Sequence, residues 1–190
     1  MPSTSGLVGA AGEYYVAAEL SRRDWLATVT IKNSPGTDVL AQRLDRRRIV
    51  AIQTKTASPG SHFRLNVKDE APGERDNEGY VRVSLRGDDE RSAFYVVPRH
   101  VMAAIVYLEH RDWLHHHDRL RAPMRTSQQR KANPMRTIRG TWIEGYRENW
   151  ALLDGSAWEA PFLADPVFLE LAAEVPLPDT FRSLNRTRAR

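Results

Sequence analysis

Asp38, Gln53 and Lys55 are the residues of this chain whose types and spacing could do chemistry together. Gln53 and Lys55 belong to IVAIQTKT, a run that reads as a strand over 49–56. Side chains alternate along a strand, so Ile49, Ala51, Gln53 and Lys55 share one face, which begins apolar and ends with an amide and an amine. Asp38 opens a second short strand, 38–42, and the tight turn LDRRR joins the two. A turn that short makes the strands antiparallel neighbours. If Asp45 and Arg46 form the loop, Asp38 stands opposite Gln53; if Arg46 and Arg47 form it, Asp38 stands opposite Lys55. Both registers put the three side chains on one face, and a three-residue loop would separate them. The apolar residues agree, since Val39 and Ala41 then pair with Val50 and Ile52 on the other face.

A carboxylate and an amide oxygen are hard ligands of the kind magnesium accepts, and magnesium needs few protein ligands beside waters and phosphate oxygens. A lysine next to such an ion can orient or deprotonate a water, or neutralise charge on a phosphate. Glu13, on the first predicted helix, could supply a second carboxylate. Glu19 is an alternative on the same helix.

These residues need elements to hold them. The spacing of Leu7, Val8, Ala11, Tyr15, Ala18 and Leu20 predicts a helix over 5–23, with Ser5 as a cap. Gly6, Gly9 and Gly12 weaken it and point to something packed closely on that side. Strands are expected at 25–31, 38–42, 49–56, 62–67 and 80–85, with NSPGTD as a turn. The continuous apolar run AFYVVP, 93–98, reads as a buried central strand, followed by a helix over 99–109. A further helix is expected over 144–153. The order predicts an α/β fold with a mixed central sheet, one domain over 1–155, and a C-terminal extension over 156–190.

Composition sets the bounds. A chain of 190 residues with 41% hydrophobic and 27% charged residues falls in the globular class, and the absence of cysteine excludes disulfides and thiolate zinc sites. No apolar run is long enough to span a bilayer, and the N-terminus lacks the pattern of a signal peptide, so a cytoplasmic protein is expected. The net charge of +4 hints at an anionic partner. The segment 121–140 carries six basic residues and no acid: Arg121, Arg125, Arg130, Lys131, Arg136 and Arg139. With the four arginines of the tail RSLNRTRAR it makes a candidate nucleic-acid-binding surface, read as a basic loop or insertion. His110, His115, His116 and His117 match no zinc spacing and read as a solvated or phosphate-facing segment. The tryptophans at 25, 142, 150 and 158 read as packing residues.

Taken together, GEYYVAAEL, TDVLA and AIQTKT resemble the PD-(D/E)XK nuclease superfamily, in its resolvase-like branch. Glu13 matches the helix glutamate, Asp38 the motif aspartate, and Gln53 and Lys55 the last pair, here Q-x-K where most members carry an acid. The likeness covers roughly residues 6–108. It implies a restriction-endonuclease-like α/β/α core and metal-dependent hydrolysis of a DNA phosphodiester. Mg²⁺ or Mn²⁺ would be held by Glu13, Asp38 and Gln53, with Lys55 serving the attacking water or the phosphate. A homodimer would bring two sites to the two strands of a duplex. The replacement of an acid by Gln53 leaves a second expectation open: a nuclease-fold module with a decayed site that binds nucleic acid or a protein partner in defence or repair.

Overall fold

The computed structural model describes residues 4–31, 34–57, 63–73, 77–86, 90–115, 132–138 and 140–155. It is a mixed α/β structure whose chain divides into two compact units. The first unit draws on Met1–Phe63, Gly73–Arg99 and Ile143–Glu159, and the second on Arg64–Pro72, His100–Trp142 and Ala160–Arg190.

The first unit opens with helix α1, Thr4–Ser21, followed by strands β1, Trp25–Val29, β2, Val39–Arg43, and β3, Ile49–Ala57. These three run antiparallel in sequence order. The chain then leaves the sheet, forms the two-residue strand β4, Leu65–Asn66, and returns as β5, Glu78–Ser84, parallel to β3. Strand β6, Ala93–Pro98, lies antiparallel to β5 and completes a five-stranded sheet in the order β1-β2-β3-β5-β6.

One face of this sheet is apolar because every second residue of its strands is. Val39, Ala41, Val50, Ile52, Val81, Val83, Phe94 and Val96 form one buried cluster with Val16 and Leu20 of α1. Each large aliphatic side chain buried in this way contributes about 1.5–3 kcal/mol relative to exposure. The helix rests directly on β3 at one point. A Cβ on Gly12 would lie only 2.8 Å from Thr56 Cβ. Glycine at 12 therefore permits the close approach anticipated from the sequence, whereas Gly6 and Gly9 have nothing within 4 Å of that position.

AFYVVP forms a strand as expected, but at the end of the sheet order and not at its centre. The segment 147–154 of the same unit packs along it. Tyr95 forms a β-bridge with Arg147, and the Glu148 N–H donates to the Phe94 carbonyl at 2.8 Å. That pairing also explains why 144–153 is not one helix. The chain forms two 3-10 segments, Gly140–Tyr146 and Trp150–Asp154, interrupted at Glu148, whose φ of 52° is left-handed. Trp25 and Trp150 are buried, as their reading as packing residues requires.

In the second unit, helix α2, Arg99–His115, contributes the buried residues Val101, Met102, Ala103, Ala104, Ile105 and Leu108. Strand β4 pairs antiparallel with β7, Met135–Arg136. The expected strand over 62–67 is cut short because Asn66 caps a 3-10 turn, Val67–Glu70. Its side chain accepts the Lys68 N–H, and Asp69 answers with the reciprocal bond to the Asn66 N–H.

Candidate active site

The hairpin of β2 and β3 places Asp38 beside Gln53. The register pairs Val39 with Ile52 and Ala41 with Val50, and one further step brings Asp38 opposite Gln53. This is the first of the two registers the sequence allowed. The loop that sets it is wider than two residues. Arg43 N–H donates to the Arg48 carbonyl, Arg46 has a φ of 60°, and Asp45 accepts the Arg47 N–H. Asp45 is thus a turn residue.

Asp38 is held on three sides. Its N–H donates to the Ile52 carbonyl at 2.8 Å, and its carbonyl accepts the Thr30 N–H at 2.9 Å. Its carboxylate Oδ2 accepts the Thr54 N–H at 2.7 Å. That last bond has a plain cause. β2 begins at Val39, so beyond Gln53 the strand β3 has β5 on one side and, among the described residues, no strand on the other. The Thr54 N–H points to the empty side, and the aspartate satisfies it. The turn before Asp38 delivers it there. Pro35 fits the second position of a type II turn, and Gly36, with φ 68°, takes the left-handed third position.

Gln53, Lys55 and Asp38 occupy the face opposite α1, since Val39, Ile52, Thr54 and Thr56 occupy the helix side. Gln53 is buried at 9% exposure, and its amide makes no hydrogen bond among the described residues. Lys55 is half-buried and engaged by a neighbouring group. Glu13 stands on α1, on the far side of the sheet from Gln53 and Lys55. It follows Gly12, the point at which α1 meets Thr56 of β3. It too is engaged.

Asp38 and Gln53 offer oxygen donors on this face, a carboxylate and an amide, which suit Mg²⁺ or Mn²⁺ over softer metals. Among the described residues no three His, Asp or Glu side chains gather closely enough to hold a metal ion. An ion here would keep several of its waters, as magnesium commonly does.

Glu19, the alternative helix acid, has another role. Its carboxylate bonds Arg22 at 2.9 Å, Arg23, and Arg91 at 3.5 Å. Burial pushes the carboxyl upward, but the Arg23, Arg22 and Arg91 guanidiniums outweigh it and hold the group below the usual carboxylate range. Arg136 faces inward at 6% exposure, paired with Glu70 and donating to the Asn133 carbonyl at 2.6 Å. Its guanidinium is taken up within its own unit. Arg121, Arg125, Arg130, Lys131, Arg139 and residues 156–190 lie outside the described residues, as do His116 and His117.

Sequence reasoning passed over Arg82. Parallel pairing aligns it with Lys55 and antiparallel pairing aligns it with Tyr95, so it shares the face of Gln53 and Lys55. The alternation of Tyr80, Arg82 and Ser84 with Val81 and Val83 carried that signal.

The fold is thus a mixed α/β sheet with a helix on one face and a short row of polar side chains on the other. No known family matches the chain, and no curated protein matches it. Among solved structures it is similar to the bacterial homing endonuclease I-Ssp6803I, with 14% identity, 80% of this chain and 95% of that chain covered, and a TM-score of 0.44. The likeness is too distant to assign chemistry.

Proposed function

We propose that this protein is a metal-dependent nuclease that hydrolyses DNA phosphodiester bonds. The observation that carries the reading is the shared face of Asp38, Gln53 and Lys55, with the aspartate fixed by the Thr54 N–H at 2.7 Å at the open end of β3. Asp38 has one carboxylate oxygen tied to the backbone and the other available to a ligand, so its orientation is set before anything binds. Gln53, 9% exposed, offers an amide oxygen on the same face. Lys55 would place a positive charge where the pentacovalent phosphate develops negative charge, or orient the attacking water. Glu13 would complete the donor set from α1. A bound Mg²⁺ or Mn²⁺ would lower the pKa of its water and offset charge on the phosphate.

The second reading is a nuclease-fold module that binds nucleic acid without cutting it. Gln53 favours it, because an amide where an acid is usual removes one negative charge from the ion's surroundings.

The test is cleavage of supercoiled plasmid and of a four-way junction in Mg²⁺ or Mn²⁺, against the same reaction with chelator. Metal-dependent nicking supports the nuclease. Salt-sensitive binding of both DNAs without any cleavage supports the module.

A further inference from the structure

Arg82 is a cation in a place where a cation needs an anion. It is 6% exposed, and its Nε and Nη1 are buried without a hydrogen-bond partner. Among the described residues no carboxylate pairs with it. Its contacts are ring faces: the Phe63 centroid lies 3.4 Å from its Cζ, and the Tyr95 centroid 5.7 Å. Stacking of this kind orients the planar fork without using its N–H groups. The other buried arginine among the described residues, Arg136, is supplied differently, by Glu70.

We infer that Arg82 is an anion-binding residue that receives a phosphodiester group of the nucleic acid, in the same row of the sheet as Lys55. An uncompensated buried charge is costly, and a phosphate oxygen pair matches the fork of a guanidinium in both charge and geometry. The position favours this ligand. Lys55 is the register partner of Arg82, and Gln53 lies one alternation away on the same face of β3. Burial lowers the guanidinium to about 10, so it stays charged at neutral pH and gains from an incoming anion. The identity of the anion rests on the proposed nuclease reading; the need for one rests on Arg82 alone.

The experiment uses the full chain without divalent metal and two probes, inorganic phosphate and a fluorescently labelled DNA duplex. Wild type, Arg82→Met and Arg82→Lys are compared by thermal melting against phosphate and by DNA affinity against salt. Binding to the folded state raises the melting temperature, so wild type should gain stability with phosphate. Arg82→Met should melt no lower than wild type in phosphate-free buffer, because it removes an unpaired buried charge, and should gain less from phosphate. Its DNA affinity should fall roughly tenfold, and its log–log salt slope should shrink by about 1. Arg82→Lys should keep more of the salt slope but lose affinity, since a point charge replaces the fork. It carries the comparison should the methionine variant fail to fold.

A destabilised Arg82→Met whose phosphate response and DNA affinity match wild type would overturn the inference and make Arg82 a packing residue. So would Arg82→Lys binding both probes as wild type does. If the protein never cleaves DNA while both probes depend on Arg82, the inference stands and the nuclease reading falls. If it cleaves equally well with and without Arg82 at equal affinity, the nuclease reading stands and the inference falls.

Discussion

The Asp38 carboxylate accepts the Thr54 N–H at 2.7 Å, just where β2 has ended and β3 continues without it. The aspartate therefore has a structural duty as well as its proposed chemical one, and substitutions must separate them. Asp38→Ala orphans the Thr54 N–H and should cost about 1–3 kcal/mol. Asp38→Asn keeps an acceptor oxygen and should cost well under half of that, while still removing the charge a metal requires. Denaturant midpoints of the two variants check this directly.

The contact of α1 with β3 makes a paired prediction. Gly12→Ala drives a methyl into Thr56 and should destabilise the fold by about 1–3 kcal/mol or more, as overpacking does. Gly9→Ala meets nothing within 4 Å and should stabilise α1 by roughly 0.5–1 kcal/mol, through helix propensity alone. Opposite signs for two identical substitutions three residues apart would locate the close approach at Gly12. Equal signs would contradict it.

Stability should fall in mild acid. Burial lowers His100 from 6.5 to about 4, so the folded protein holds this ring neutral while the unfolded chain protonates it first. Its contribution is complete above pH 6.5 and is lost as pH falls toward 4, at most about 3 kcal/mol in all. Glu19, held below the carboxylate range by its arginines, adds a further loss at lower pH. Urea unfolding across this range should show the slope, and His100→Gln should flatten its upper part.

Gln53→Glu returns a carboxylate to the proposed metal site. The variant should reach half-maximal cleavage at a lower Mg²⁺ concentration than wild type, by on the order of tenfold. A metal titration of the nicking rate reads this out. An unchanged metal requirement would place Gln53 outside the coordination sphere.

Much of this arrangement was legible in the sequence because a strand alternates. Val39, Ala41, Val50 and Ile52 could be buried on one face only in registers that put Asp38, Gln53 and Lys55 on the other, and the structure adopts one of those registers. Three things were not legible. The break at Glu148 depends on a bridge to Tyr95, more than 50 residues away, which overrides the local helical pattern. The position of AFYVVP at the end of the sheet depends on what covers it, not on its own composition. The anion-seeking character of Arg82 appears only when its neighbours are known to be the rings of Phe63 and Tyr95. In a sequence, an arginine in an alternating strand is simply a residue on the polar side.

If the face of Asp38 and Lys55 performs the chemistry, single-turnover cleavage in Mg²⁺ depends on both side chains. Wild type, Asp38→Asn and Lys55→Met should bind DNA with similar affinity and melt within a few degrees of one another. Both variants should cleave slower by on the order of 100-fold or more. Cleavage by either variant at the wild-type rate would show that the chemistry takes place elsewhere.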